Sequence, residues 1–352
     1  MEAALPVTAR NKRPAQEEAH RADAGKKKRA RYEFDDINEY EMLKEIGEGA
    51  FGVVAKARDH RTGETVAVKW IRGGLEGNND GSGLLPAVVR EAGCLAACRG
   101  HPGIVQIKTV AAGEDTSGDD LYIVMELFAG GATLRSELAT RGRPFSEDEA
   151  RDAMKQLLEA AEKLHATGTI HRDINPDNIL AAAGGELKLC GFGCATPARR
   201  VGCPEKPVGM LQYCAPEQLF GLSCYGPEAD VWTLGCVMAE LLAGEALFTA
   251  TEEDYMIAER INLRDDIVSM GVEAFDETML DHVSVAGREL LAGLLAFHSD
   301  ERLTAAEALE HRWFTGEEDE EVQEEEEVQE EPPAAVELEF PGFESPFAAP
   351  AA

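Results

Sequence analysis

Residues 171–180 read HRDINPDNIL. They follow a segment in which Ser146 and Glu149 have the spacing of a helix capping box. After that box, apolar side chains recur at helical intervals, and Gly168 stands where a glycine suits the end of a helix. The polar stretch is therefore expected directly behind a long amphipathic helix, whose apolar stripe is formed by Met154, Leu157, Leu158, Ala161, Leu164 and His165.

Upstream of that helix, the pattern is typical of antiparallel strands. Residues 40–70 contain the strand-like runs KEIGEGAFGVVAKARD and TGETVAVKWI, and two more, QIKTVAAG and DLYIVMELF, come after the helical segment LLPAVVREAGCLAAC. Beyond Gly168, helical segments such as DVWTLGCVMAELLAG and TAAEALEHRWF dominate as far as residue 314. The sequence predicts an α+β fold in which a small β-rich lobe precedes a larger helical lobe.

The first strand-like run carries glycines at positions 47, 49 and 52. Glycines let backbone N–H groups approach phosphate oxygens because no Cβ stands in the way. The pattern GxGxxG also occurs in dinucleotide-binding folds, where it connects a strand to a helix. Here a second strand-like run, AKARD, follows it, and Lys69 comes 17 residues after Gly52 on the next one. The context therefore argues against a dinucleotide-binding fold.

In this order, the motifs resemble those of the eukaryotic protein kinases. That signature runs from a Gly-rich loop through a strand lysine and a helix glutamate to a catalytic loop, a metal motif and an APE motif, here residues 46–54, Lys69, Glu91, 171–180, 191–193 and 214–217. Arg302 resembles the late arginine that pairs with the APE glutamate. The resemblance covers roughly residues 40–314 and implies a bilobal protein kinase fold. The implied domain is 39–314, with the small lobe at about 39–128 and the large lobe at about 129–314.

The resemblance implies a role for each matching catalytic position. Lys69 is expected to hold the α- and β-phosphates of ATP and to pair with Glu91. Asp173 is expected to accept the proton of the substrate hydroxyl, and Asn178 to be a ligand of Mg²⁺. ATP and magnesium are therefore the implied cofactors.

The nucleotide site also follows from the resemblance. Apolar side chains are expected around the purine, two backbone positions of the hinge at its edge, and the glycine hairpin around the phosphates. Taken singly, each apolar member could be an ordinary core residue, so only the whole set points to a pocket. The expected contacts are Ile46, Gly47, Glu48, Gly49, Ala50, Phe51, Gly52, Val53, Val54, Ala67, Lys69, the gatekeeper Met125, the hinge residues Glu126 and Phe128, and Leu180.

Within the kinases, the cyclin-dependent kinase family is the most similar. LPAVVRE occupies the place of that family's cyclin-contacting PSTAIRE helix and keeps mainly Arg90 and Glu91. LYIVMELF and DVWTLGCVMAELLAGEALF are similar to its hinge and to its helix after the APE motif. A divergent plant F-type cyclin-dependent kinase is the narrower resemblance. It implies a protein substrate with a serine or threonine acceptor, and a cyclin or cyclin-like partner subunit.

Three positions depart from the kinase pattern. Gly191 replaces the metal-binding aspartate of the DFG motif, Asn175 replaces the catalytic-loop lysine, and Met210 replaces a threonine before the APE motif. Losing one such electrostatic element typically lowers a rate by roughly 10²–10³. With less negative charge around it, the remaining cradle should bind ATP with magnesium weakened or dispensable. Two functions stay open: a weakened kinase, and an inactive pseudokinase that serves as a nucleotide-binding scaffold or partner-docking module.

The composition argues against several other classes. The 352 residues carry a net charge of −32, whereas a nucleic-acid-binding body needs cations that face the phosphates. No uncharged apolar run reaches the roughly 18 residues of a membrane-spanning helix. The eight cysteines include no CxxC pair and no histidines at ligand spacing, which favours reduced thiols over disulfides or a zinc site.

Two charged arms flank the expected domain. Residues 1–38, with a net charge of +5 over residues 1–31, are expected to be a disordered arm. There, Lys12-Arg13 and the later KKKRAR resemble a bipartite nuclear localisation signal, which implies an importin partner and a nuclear location, with or without a cytoplasmic pool. The alternative is a merely solvated basic arm. Residues 315–352, with a net charge of −14 over residues 316–352, are expected to be a disordered acidic tail, or an interaction tail for a partner.

Overall fold

The structure is a computed structural model, and it describes residues 34–71, 85–113, 120–128, 130–198, 207–222, 225–275, 280 and 282–316. The chain divides into two compact units. The first contains the described residues up to 96 together with residues 106–127. The second contains residues 97–105 together with the described residues from 128 onward.

The first unit is built on a six-stranded sheet. Its elements are β1 (Asp35–Asp36), β2 (Tyr40–Gly49), β3 (Gly52–Asp59), β4 (Thr65–Ile71), helix α1 (Leu85–Ala97), β5 (Ile107–Ala112) and β6 (Leu121–Glu126). The strand order is β1-β5-β6-β4-β3-β2, and only the pair β1 and β5 is parallel. This arrangement confirms the β-rich part that the sequence predicts.

Strand β4 sorts its side chains between the two faces of this sheet. Val66 and Val68 are each 1% exposed and belong to one buried cluster. Because successive side chains of a strand point to opposite faces, Lys69 points away from that cluster. In register it lies opposite Val54 on β3 and Ile123 on β6. The same pattern that builds the core therefore turns Lys69 to the other face of the sheet.

The second unit is mainly helical. Its helices are α2 (Leu134–Arg141), α3 (Glu147–Ala166), α4 (Pro216–Leu219), α5 (Glu228–Ala243), α6 (Glu253–Met270), α7 (Val285–Leu294), α8 (Ala305–Leu309) and α9 (Arg312–Thr315). Short strands complete it: β7 (Ala132–Thr133), β8 (Thr169–Ile170), β9 (Ile179–Ala181), β10 (Leu187–Leu189) and β11 (Thr196–Pro197). The larger helical part that the sequence predicts is thereby confirmed.

Helix α3 begins and ends where the sequence predicts. The Ser146 side chain accepts from the N–H of Glu149, and the Glu149 carboxylate accepts from the N–H of Ser146, which completes the capping box. Gly168 follows the C-cap Thr167 and has φ +70°, a left-handed conformation that favours glycine. In the apolar stripe, only His165 departs from full burial, and its ring binds the buried carboxylate of Asp230 (Nε2 to Oδ2 2.9 Å).

Helix α5 runs through the centre of the second unit. Every residue from 229 to 242 is buried, so the helix is enclosed on all sides and most of its side chains are apolar. Its two buried acids, Asp230 and Glu240, both have hydrogen-bond partners. Near it, Arg302 donates to Glu217 (Nη1 to Oε1 2.7 Å), which is the pairing that the resemblance implies.

Two details bear on the predicted limits of the domain and of its lobes. Asp35 and Asp36 pair with β5, although the predicted domain starts at residue 39. Residues 97–105 belong to the helical unit because the Val105 N–H donates to Leu189 O (3.0 Å) and the Leu189 N–H to Gly103 O (2.8 Å). The predictions for residues 1–33 and 317–352 lie outside the described residues. Across the described ranges, no helix is both long and apolar enough to span a bilayer.

Candidate active site

The glycine-rich hairpin joins β2 to β3. Ile46, Gly47, Glu48 and Gly49 end β2, Ala50 and Phe51 form the turn, and Gly52, Val53 and Val54 begin β3. Gly52 has φ +147°, and a Cβ there would collide with the carbonyl oxygen of Trp70. At Gly49, a Cβ would meet nothing within 4 Å. The hairpin therefore needs glycine for packing at one position and leaves open space beside the backbone at another.

Lys69 and Glu91 form a buried ion pair. The Lys69 Nζ lies 2.6 Å from the Glu91 Oε1, and their side chains are 9% and 6% exposed. Strand β4 supplies the lysine and helix α1 supplies the glutamate. The ring of Phe51 lies beside the same ammonium, with 5.9 Å from Nζ to the ring centroid. The pairing expected from the resemblance is present, and phosphate binding by Lys69 stays a prediction.

The other expected nucleotide contacts of the first unit lie on neighbouring strands. Ala67 on β4 is in register with Met125 on β6, and they are 7% and 8% exposed. The N–H of Glu126 donates to Gln106 O (2.9 Å). A purine contact from Glu126 would therefore have to come from its carbonyl oxygen.

Two expected contacts belong to the second unit. Phe128 is 8% exposed, and its ring lies 5.4 Å from the Lys188 Nζ, measured to the ring centroid. Leu180 lies on β9, in register with Lys188 on β10 and with Thr133 on β7. Leu180 thus lies within the β9–β10 pair, and Phe128 lies beside Lys188 of the same pair.

The carboxylate of Asp173 is held by three donors. The Asn175 Nδ2 donates to Oδ1 (2.8 Å), and the Asn178 Nδ2 donates to Oδ2 (2.8 Å). The backbone N–H of Met210 also donates to Oδ1 (2.9 Å). The structure therefore brings Asp173 and Asn178 into contact and adds two groups, Asn175 and the N–H of Met210, that the sequence presents only as losses.

Two opposing effects act on the acidity of Asp173. Burial raises its pKa, while the charge of His171 and the three hydrogen bonds lower it, and the pKa ends above its ordinary value of 3.8. A carboxylate that is a stronger base than free aspartate is better suited to accept a proton near neutral pH.

Asp230 on helix α5 fixes the backbone of the loop that leads into Asp173. Its Oδ2 accepts from the His171 N–H and its Oδ1 from the Arg172 N–H, both at 2.8 Å. Arg172 has φ +67°, a strained conformation for a residue with a side chain. Burial would raise the pKa of Asp230, but hydrogen bonds from His165 and His171 outweigh it and keep the pKa below its usual range. A charged carboxylate under the loop therefore holds a strained backbone in place.

Gly191 also adopts the left-handed conformation, with φ +77°. A Cβ at this position would overlap the carboxamide of Asn178. Next to it, Phe192 is 1% exposed and packs edge-on against the His171 ring, with 4.7 Å between centroids. Phe192 is thus packed in the core, while the carboxamide of Asn178 fills the space that a side chain at residue 191 would occupy. Among the described residues, no group of three His, Cys, Asp or Glu could hold a metal ion.

Sequence reasoning missed the contributions of Asn175, Met210 and Asp230. Asn175 is 1% exposed, and its carboxamide bridges Asp173 and the N–H of Asp177 (3.0 Å). The signal for such a bridge exists, because short polar side chains commonly bind backbone N–H groups two residues on. Met210 acts through its backbone, which no residue identity reveals.

Comparison with known proteins identifies the family. Residues 40–314 match the model of the protein kinase domain. Over 309 residues, the chain is 40% identical to a cyclin-dependent kinase F-2 of Oryza sativa subsp. japonica, covering 79% of this chain and 90% of that protein. It is 34% identical over 307 residues to a cyclin-dependent kinase G1 of Arabidopsis thaliana, covering 79% of this chain and 49% of that protein.

A more distant relative extends the same likeness. The chain is 31% identical over 308 residues to cyclin-dependent kinase 11.1 of Caenorhabditis elegans, covering 80% of this chain and 42% of that protein. The chain thus spans about half or less of the length of this relative and of the Arabidopsis protein. With the family model and the rice relative both covering most of the chain, it belongs to the eukaryotic protein kinases, within the cyclin-dependent kinase family.

Proposed function

We propose that this chain is an ATP-binding Ser/Thr protein kinase of the cyclin-dependent type, which transfers the γ-phosphoryl group of ATP to a protein hydroxyl. The observation that carries the proposal is the carboxylate of Asp173, which donors from Asn175, Asn178 and Met210 hold in one orientation. A positioned carboxylate of raised pKa is what a general base for a hydroxyl proton needs.

Each step of the proposed reaction has a residue to perform it. Bound ATP supplies the phosphoryl group. Lys69, oriented by Glu91, binds phosphate oxygens, and the backbone N–H groups beside Gly47 and Gly49 approach them without a Cβ in the way. Asp173 accepts the proton of the attacking hydroxyl. Phosphoryl transfer needs mainly such positioning and charge stabilisation.

We also propose that magnesium binds weakly or is dispensable. Mg²⁺ in phosphoryl-transfer sites is usually held by one or two carboxylates together with the substrate phosphates. Gly191 offers no carboxylate, and Asp173 already accepts from three N–H groups. Asn178 supplies a single amide oxygen, which occupies the place of a side chain at residue 191. These residues therefore do not fit the usual Mg²⁺ site, and the proposed steps depend on Lys69, the glycine-rich hairpin and Asp173 alone.

Phosphoryl transfer to a protein substrate, measured with and without Mg²⁺, tests the proposal. The variants are wild type, Asp173→Ala, Gly191→Asp and Gly191→Ala. The last is the matched control, because it displaces Asn178 as the aspartate does but adds no carboxylate. We expect wild-type activity that depends weakly on Mg²⁺ and disappears in Asp173→Ala. Wild-type activity that survives in Asp173→Ala would exclude Asp173 as the base.

The second candidate is a catalytically inactive pseudokinase that acts as a nucleotide-binding scaffold or partner-docking module. Two residues favour this second candidate. Gly191 stands in place of the metal-binding aspartate and Asn175 in place of the catalytic-loop lysine, and both of those charges act in the transition state. Activity that appears only in Gly191→Asp, and not in Gly191→Ala, would support this function. Calorimetric titration with ATP, with and without Mg²⁺, separates both candidates from a chain that binds no nucleotide.

We also propose a cyclin-like partner, which the family suggests, and a nuclear location, which the basic clusters of the sequence suggest. A cyclin or cyclin-like subunit would contact α1, on which Val89 is 47% exposed and Arg90 is also exposed. An importin would bind the basic clusters of the N-terminal arm and carry the protein to the nucleus, with or without a cytoplasmic pool. Replacing the three lysines of KKKRAR by alanine should then reduce nuclear accumulation of a fluorescent fusion. An unchanged distribution would contradict the importin proposal.

A further inference from the structure

Arg260 on α6 is a buried cation whose partners are mainly backbone oxygens. The residue is 1% exposed, and its Nη2 donates to the carbonyls of Gln212 (2.6 Å) and Leu211 (3.3 Å). Its Nη1 donates to Met256 O (3.0 Å) and lies 3.3 Å from the Glu259 Oε2. Its Nε has no acceptor in the part of the chain that the structure describes. Burying a guanidinium in this way costs desolvation free energy. The contacts of Arg260 are therefore expected to have a role other than stabilising the core.

The guanidinium also rests on an aromatic stack. Its Cζ lies 3.9 Å from the centroid of the Phe248 ring, and that ring is stacked on Trp232 (6.0 Å between centroids, 4° between planes). The Cζ of Arg302 lies 5.2 Å from the Trp232 centroid, and Arg302 binds Glu217. Arg260 and Arg302 are thus two buried arginines connected through two stacked rings. Both bind the segment 211–217, Arg260 at its start and Arg302 at Glu217.

The far side of that segment touches the catalytic loop. The Met210 N–H donates to the Asp173 Oδ1 (2.9 Å). Gly209 has φ +86°, and a Cβ there would lie 2.6 Å from Arg172 O and 2.8 Å from the Asp173 Oδ1. The backbone at residues 209–210 therefore lies directly against Arg172 and Asp173, with no room for a side chain at residue 209.

We propose that Arg260 is a positioning residue: it holds the turn Leu211–Tyr213 so that the preceding N–H of Met210 reaches Asp173. Methionine has no hydroxyl at this position, so only the place of its backbone decides whether the bond forms. The carbonyls that Arg260 binds are those of the two residues directly after Met210. The consequence for catalysis rests on the proposed function, whereas the positioning itself does not.

Hydrogen exchange of the full-length chain, followed by mass spectrometry, tests the proposal. The variants are Arg260→Met, which keeps most of the volume but removes every donor, and Arg260→Lys, which keeps the charge. Arg264→Met is the matched control, one turn later on α6, where the side chain is 34% exposed and pairs with Asp265. The reporter amides are Met210, Tyr213 and Cys214, which donate within or beside the turn.

We expect Arg260→Met to speed exchange of the reporter amides by about tenfold or more, because each loses the support of two hydrogen bonds to the turn. Amides of α5 should keep their rates, Arg260→Lys should fall between wild type and Arg260→Met, and Arg264→Met should match wild type. Unchanged reporter amides in Arg260→Met would overturn the proposal. Equal acceleration in the turn and in α5 would also overturn it, because it would show a general loss of core stability.

A second readout connects the turn to catalysis. If the chain transfers phosphoryl groups, Arg260→Met should lower kcat about tenfold or more with an unchanged KM for ATP, and Arg260→Lys should restore part of kcat. A shift in the KM for ATP alone would contradict the proposed role. A chain without activity would refute the proposed function but leave the exchange experiment decisive for Arg260.

Discussion

The carboxamide of Asn178 fills the place that a side chain of residue 191 would occupy: a Cβ on Gly191 would overlap its Oδ1. The same carboxamide donates through Nδ2 to the carboxylate and to the carbonyl of Asp173 (2.8 and 2.9 Å). A side chain at residue 191 would therefore require this carboxamide to shift from the position in which it binds Asp173. The missing acid of the metal motif and the orientation of the general-base candidate are parts of one arrangement.

Gly191→Ala should consequently destabilise the protein more than an ordinary glycine replacement. The left-handed backbone alone costs about 1–2 kcal/mol for a residue with a Cβ. Displacing Asn178 adds about 1 kcal/mol for each hydrogen bond lost to Asp173. Chemical denaturation should therefore show a loss of about 2–4 kcal/mol in the free energy of unfolding.

Gly185→Ala is the matched control for this prediction. Gly185 has φ +84°, and a Cβ there would meet nothing within 4 Å, so only the backbone cost applies. In a background that carries Asn178→Ala, the cost of Gly191→Ala should fall to that of Gly185→Ala. Equal costs of Gly191→Ala with and without Asn178 would show that the two positions are not coupled.

The local parts of this site could be predicted from the sequence. The capping box Ser146–Glu149 and the glycine at residue 52 depend on neighbours in the chain, and the structure has both. The pair Lys69 and Glu91 was available only through family resemblance, because 22 residues separate its members. The contact of Met210 with Asp173 and that of Arg260 with Gln212 were not predictable. They join backbone groups to distant residues, and neither periodicity nor spacing encodes such contacts.

The buried pair of Lys69 and Glu91 should respond asymmetrically to single and double replacement. Lys69→Met or Glu91→Gln leaves one polar group buried without its partner, which costs about 3–5 kcal/mol. The double replacement Lys69→Met/Glu91→Leu removes both charges and should recover most of that loss. Thermal denaturation of the three variants checks this.

The exposed pair of Lys108 and Glu64 is the control for that prediction. Its Nζ–Oε1 distance is 2.8 Å, but the side chains are 34% and 54% exposed. Lys108→Met should therefore cost about 1 kcal/mol or less. A double replacement at Lys69 and Glu91 that is as unstable as the single ones would show that the aliphatic pair does not pack in the same space.

Glu147 should make the protein sensitive to acid. Burial would raise its pKa, but donors from Ser284 and Trp313 and the charge of Arg151 outweigh it, so the pKa lies below its ordinary 4.5. A carboxylate with a lowered pKa stabilises the folded state above its unfolded-state pKa, and this contribution is lost as pH falls through the folded-state value. The Tm difference between wild type and Glu147→Gln should thus be largest at pH 7 and shrink below about pH 4.

Glu162→Gln, an exposed change on the same helix, gives the baseline for the loss of one charge. Its Tm should follow that of wild type across the same pH series. If the Tm difference between wild type and Glu147→Gln stayed constant down to pH 3, the stabilisation by Glu147 would not depend on its charge.

Arg135 and Glu240 should contribute unequally, although they bind each other. The Glu240 side chain is 3% exposed, and that of Arg135 is 36% exposed. Arg135 also donates to the Tyr213 hydroxyl (2.6 Å), and this hydroxyl donates to the Glu240 Oε2 (2.5 Å).

Arg135→Met leaves a buried carboxylate with one remaining donor, which costs about 3–5 kcal/mol. Glu240→Gln leaves a cation that water reaches and keeps an acceptor in place, so it should cost only about 1–2 kcal/mol. Denaturant unfolding of both variants measures the two losses in the free energy of unfolding. A larger loss in Glu240→Gln than in Arg135→Met would mean that Arg135, and not Glu240, is the group that depends on its partner.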